Sequence, residues 1–188
     1  VTVDFNGPLE IARWRPLVQW LLAIPQLLVS QVLMMLRGVL QFVAFFCVLF
    51  TKQIPESIFN AIVMTFRYQW RVTTYLLFMR ETYPPFSFET SADDDGIDPA
   101  VLSVQRPGEL SRFMPLVKWF LALPHYVALV VLVIGFLFAW LASFFIVIFT
   151  GRYPEGIRRY AIGLSRWGYR VMAYVGFLRD EYPPFSLQ

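Results

Sequence analysis

The sequence predicts an all-α integral membrane protein of two tandem repeats. Each repeat holds a short strand, an interfacial helix, a transmembrane helix and a second, arginine-bearing amphipathic helix. Three observations predict this: a gapless internal repeat at a spacing of ninety-nine residues, two long apolar runs without an acidic residue, and a surplus of aromatic side chains.

The repeat sets the organisation. Pro16-Leu17-Val18-Gln19-Trp20 falls on Pro115-Leu116-Val117-Lys118-Trp119, and Tyr83-Pro84-Pro85-Phe86-Ser87 falls on Tyr182-Pro183-Pro184-Phe185-Ser186. Trp14–Phe88 against Phe113–Leu187 gives 28 identities in 75 positions, far above chance. The expected units are 1–88 and 100–188, joined by an acidic linker, 89–99. Its Asp93-Asp94-Asp95-Gly96 core should be solvated, because clustered like charges resist burial.

Composition supports the membrane reading. Hydrophobic residues make up 57% of the 188-residue chain and charged residues 15%, against about 45–50% and about 25% in soluble domains. Aromatic residues reach 18%, which suits a surface facing lipid with rings at the headgroup level. The formal charge is +3 and the basic residues are scattered, so membrane lipids, anionic phospholipid above all, are expected partners and nucleic acid is not. Cys47 is the single cysteine; no disulfide or metal cluster is expected.

Within each unit the elements follow in order. Val1–Phe5 alternates apolar and polar, as Ala100–Gln105 can, and the two segments could form strands that pair with each other. Arg13-Trp14-Arg15-Pro16, like Arg112-Phe113-Met114-Pro115, starts a helix with a proline in its first turn. The runs Leu17–Phe50 and Leu116–Phe149 are broken by Pro25 and Pro124. A short interfacial helix should precede each break and a spanning helix of about 25 residues should follow it. The first run is too long for a cleavable signal peptide. Gly-Arg-Tyr-Pro at 151–154 and Lys-Gln-Ile-Pro at 52–55 form turns. Glu56 and Glu155 then favour the positive end of a second helix, which Tyr-Pro-Pro-Phe stops. Trp20, Trp119, Tyr83, Tyr182, Phe86 and Phe185 are the expected interfacial anchors. Gly163 and Gly168 are expected at helix contacts.

The second helices carry the candidate site. Arg67 and Arg71 recur as Arg166 and Arg170, with Arg159 on the same stripe, and Arg37 lies within the first apolar run. These segments contain no acidic residue between their ends. An arginine at membrane depth costs at least about 2.5–3.5 kcal/mol without a partner. The six arginines are therefore candidates to bind a lipid headgroup or a partner protein. Two topologies compete. With four crossings, favoured here, both units share one orientation. With two crossings and interfacial arginine helices, the units are inverted. Flanking basic residues place termini and linker in the cytoplasm.

Catalysis has no visible machinery. No serine or threonine has a base nearby, no glycine-rich loop cradles phosphate, and His125, the single histidine, lacks a second ligand and should be a polar interfacial side chain. The expected function is a non-enzymatic membrane scaffold or accessory subunit, without a cofactor, that docks anionic lipid headgroups or a partner membrane protein or second copy. The alternative is binding or transport of an anionic lipid or solute in a polar intramembrane cavity.

The doubled pattern Pro115-Leu116-Val117-Lys118-Trp119, Leu123-Pro124-His125, Phe149-Thr150-Gly151-Arg152-Tyr153-Pro154 and Tyr182-Pro183-Pro184-Phe185-Ser186-Leu187 resembles the domain-of-unknown-function 4389 family. The first unit departs from it at Gln26 and at Lys52-Gln53-Ile54. The resemblance implies a bacterial membrane protein, and no established activity or site residues.

Overall fold

A computed structural model describes residues 1–188. The order is β1 (Thr2–Phe5), α1 (Arg15–Leu22), α2 (Ile24–Thr51), α3 (Glu56–Leu76), β2 (Ala100–Ser103), α4 (Met114–Leu121), α5 (Leu123–Thr150) and α6 (Glu155–Val175). Each long helix follows its short one after a single hinge residue, Ala23 or Ala122, with Pro25 or Pro124 in its first turn. There a missing N–H costs nothing, because it would have no intrahelical acceptor. The proline break expected from sequence is thus a clean helix start. Lys52 and Gly151 end α2 and α5 in the left-handed region, at φ 59° and 71°.

The repeat is visible in three dimensions, with its strands exchanged. β1 and β2 pair antiparallel with Val3 opposite Leu102, as the sequence allowed. β1 packs on α6 of the other unit, and β2 packs back on α3 of the first. The boundary at 88–100 therefore separates units in sequence that interlock in space. Further exchanges follow the same rule. The Ile11 N–H donates to the Gly151 carbonyl and the Leu110 N–H to the Lys52 carbonyl. Phe78 packs on Phe144, and Phe177 on Phe45.

These ties fix helix direction. Residues 106–111 touch both the turn before α3 and the end of α6, through Arg106 to Glu56 and the Ser111 N–H to Asp180. Residues 9–12 do the same for the turn before α6 and the end of α3, through the Tyr153 N–H to the Leu9 carbonyl and the Ala12 N–H to Glu81. α3 and α6 consequently run in opposite directions, as do α2 and α5.

The molecule is layered. The sheet lies on α3 and α6, whose Phe66, Trp70 and Tyr169 meet at the centre. α2 packs along α3, and α5 along α6. Val3, Phe5, Ala100 and Leu102 are buried against this middle layer. α2 and α5 bury only one narrow stripe each, Gln26, Ser30, Leu33, Arg37, Ala44 and Val48 in α2 and His125, Phe136, Ser143 and Val147 in α5. The stripe turned to protein is more polar than the face turned outward, the reverse of a soluble helix.

Exposed apolar surface is sharply localised. Of forty-two exposed large apolar side chains, thirty-four lie on α1, α2, α4 and α5, and none on α3 or α6. Two stretches, Ile24–Thr51 and Met114–Thr150, are long and apolar enough to cross a membrane. The four crossings favoured from sequence would need α3 and α6 as well. Those helices are too polar, because each gives one face to the sheet and its arginines.

Candidate functional site

The expected site residues do not form one cluster. Arg37 is buried in α2, where its Nη1 donates to Gln69 Oε1 at 2.8 Å and its guanidinium lies over the Phe66 ring. Arg159 is exposed and pairs loosely with Glu155 one turn away.

Arg67 and Arg71 overturn one expectation directly. They do have a carboxylate, supplied by the linker. Arg67 Nε lies 2.9 Å from Asp94 Oδ2, and Arg71 Nη2 lies 3.2 Å from Asp94 Oδ1. The Asp94 side chain has no solvent exposure. The linker is therefore not simply solvated. Two guanidinium groups and the Leu102 and Gly96 N–H groups hold the Asp94 carboxylate in place, which offsets the desolvation that like charges alone could not. Asp98 is also buried, bidentate to Arg80 at 2.6 and 3.0 Å. Sequence reasoning missed these partners because they lie eighteen or more residues from the arginines and outside the apolar segments. The tell-tale was an acidic run that follows the arginine-bearing α3 in the chain.

Arg67 also donates to the backbone carbonyls of Leu102, Glu89 and Ser91. Burial pushes its pKa below the ordinary arginine value, and Asp94 opposes that shift. In the second unit, Arg166 Nε donates to the Val3 carbonyl at 3.1 Å, the counterpart of Arg67 Nε on Leu102. Arg170 donates to the Ser186 and Gln188 carbonyls. Neither has a carboxylate. Burial, then repulsion from Arg166 and Arg179, lowers the Arg170 pKa.

The remaining polar positions form matched pairs across the repeat. Gln19 Nε2 donates to the Tyr75 and Arg80 carbonyls; its counterpart Lys118 donates to the Arg179 carbonyl and pairs with Asp180 at 2.7 Å. Gln26 bonds Tyr68 and the Pro84 carbonyl. His125, at the same place, accepts from Trp167 Nε1 at 3.1 Å and stacks on Phe185. It is fully buried rather than interfacial, because the Tyr-Pro-Pro-Phe segment folds over it.

The six aromatic residues expected as anchors face outward. Trp20, Trp119, Tyr83, Tyr182, Phe86 and Phe185 are all exposed. The two indoles donate within their own helices, to Leu17 and Leu116. Gly163 receives Leu187 of the C-terminal segment rather than a helix, and Gly168 faces open space.

No curated protein and no solved structure matches the chain. A family profile matches residues 13–87 and 115–186, both repeat units in turn. The chain thus belongs to the family described as a domain of unknown function (DUF4389).

Proposed function

We propose that this protein is a non-catalytic membrane scaffold seated in one leaflet, with α1, α2, α4 and α5 lying in the membrane plane and the sheet and linker facing water. The observation that carries this reading is the concentration of exposed large apolar side chains, thirty-four of forty-two, on those four helices. Burying each such side chain contributes about 1.5–3 kcal/mol, so a handful suffices for firm association. An in-plane seat also suits the antiparallel helices. Were α2 and α5 to stand upright, the exposed Asp93 and Asp95 would lie beside the middle of α3, at a depth where charges cost several kcal/mol. Lying flat, helices about 10 Å in diameter occupy about one leaflet, half of a hydrocarbon core roughly 30 Å thick.

This seat differs from both the four-crossing and the two-crossing topologies. The basic residues beside the short helices, Arg13, Arg15 and Arg112, favour the anionic cytoplasmic surface of a bacterial inner membrane. On the water-facing side, the function is to hold a partner protein at the membrane.

Single cysteines at Gln53, Arg152 and Asp95, in a chain carrying Cys47→Ser, test the seat. A membrane-impermeant maleimide applied to spheroplasts and to inverted vesicles should label all three from the same side. Labelling of Gln53 and Arg152 from opposite sides would establish upright helices and end the in-plane proposal.

A further inference from the structure

The depth of the four apolar helices follows from what they do with their charges. They carry three, Arg15, Arg37 and Lys118, and expose none of them. Arg37 and Lys118 are buried, and Lys118 turns inward to Asp180 at 2.7 Å. Arg15 is half-buried, with its guanidinium over the Trp14 ring. α5 has no charged residue at all. A helix that floats at the headgroup level turns a face rich in lysine and arginine to the phosphates. Here the outward face is apolar instead, with twelve exposed large apolar side chains on α2 and thirteen on α5. Such helices belong beneath the headgroups, among the acyl chains.

Their size sets how much lipid they displace. α2 and α5 have 28 residues each, so each is about 42 Å long and about 10 Å across. Laid flat, each displaces acyl chains over about 400 Å². Each layer of the fold takes one element from each unit, β1 with β2, α3 with α6 and α2 with α5. The two long helices therefore enter the same leaflet at the same depth. Volume added to one leaflet spreads it against the other, and the bilayer relieves that mismatch by bending convex toward the wider side. A surface already convex on that side has splayed headgroups and accepts the insert at lower cost.

We propose that this protein is a curvature-seeking wedge, which concentrates on membrane that is convex toward the leaflet it occupies. What it recognises is the packing of a strained bilayer rather than one headgroup. The inference rests on the in-plane seat proposed above.

The probe is a mixture of small sonicated and large extruded phosphatidylcholine vesicles, each marked with its own fluorescent lipid. Detergent-solubilised chain is diluted into the mixture, and the vesicles are then separated by size. Neutral lipid removes surface potential as a cause of any preference. Chain per outer-leaflet lipid should be at least threefold higher on the small vesicles. Diacylglycerol in the large vesicles, which opens headgroup packing without a change of size, should narrow the gap. Equal loading of both sizes overturns the proposal, as does preference for the large vesicles or a gap that diacylglycerol leaves untouched. Gln53→Cys and Arg152→Cys, each in the Cys47→Ser chain, separate this failure from failure of the seat. If impermeant maleimide labels both from outside while loading is equal, the wedge falls and the seat stands. If one of them is protected, the seat falls and the wedge with it.

Discussion

Val3 and Leu102 face each other across the two strands, and they are the same position of the repeat. A two-fold relation between the units therefore passes between these residues. It makes each arginine, turn and aromatic contact of one unit a control for its counterpart in the other.

The Asp94 clasp should dominate the stability of the sheet side. Asp94→Ala leaves Arg67 buried without a contacting carboxylate and Arg71 with only Asp95, 3.9 Å away, and breaking such a buried pair costs about 3–5 kcal/mol. The neighbouring Asp93 is exposed, and Asp93→Asn should change stability by less than about 0.5 kcal/mol. Thermal unfolding of the two variants in the same detergent should separate them by many degrees. Equal midpoints would show that the linker does not hold the arginines.

Two glycines of α6 should respond with opposite signs. A Cβ at Gly163 would approach the Leu187 carbonyl oxygen to 2.6 Å, whereas one at Gly168 would meet nothing within 4 Å. Gly168→Ala is expected to stabilise by about 0.5–1 kcal/mol through helix entropy. Gly163→Ala should destabilise by about 1–3 kcal/mol as the C-terminal segment is displaced. Chemical denaturation midpoints check both signs.

Stability should fall in acid partly through Asp95. The Ile97 N–H, then Asp94 and the two arginines, hold its pKa below the ordinary aspartate value. A folded pKa below the unfolded one means the contribution is complete above the unfolded value, near pH 4. It disappears as pH falls through the lower, folded value. The melting-temperature difference between the parent chain and Asp95→Asn should be constant from pH 7 to about 5 and shrink below about 4. A difference that grows in acid would reverse the sign.

Membrane association should depend on the outer faces of the long helices and not on α6. Val131 and Phe138 are exposed on α5, and aspartate at the centre of an apolar helix costs about 2.5–3.5 kcal/mol on insertion scales. Val131→Asp with Phe138→Asp should shift the chain from the floating to the soluble or aggregated fraction in liposome flotation. Arg159→Ala, exposed on α6, should float as the parent does.

The sequence by itself determined much of the local structure. A proline inside an apolar run ends one helix and fits the first turn of the next, so the starts of α2 and α5 were legible from Pro25 and Pro124. The Tyr-Pro-Pro-Phe stops and the short alternating strands were legible for the same local reason. The repeat made both units readable from either one, including the arginine pairs and the exposed aromatic side chains.

Only the tertiary structure decided what those pieces face. β1 crosses to α6, and β2 returns to α3, because the central Phe66, Trp70 and Tyr169 layer needs both strands as one cover. That choice sets the helices antiparallel, folds Asp94 onto Arg67 and Arg71, and buries His125 under Phe185. Helix starts and stops are fixed by backbone sterics within a few residues. Charge pairing and burial depend on chain segments far apart, and Asp94 becomes a partner for Arg67 only once the linker is laid along the strand that follows it. The sequence wrote the same arginine pair twice; folding set the first on Asp94 and the second on backbone carbonyls.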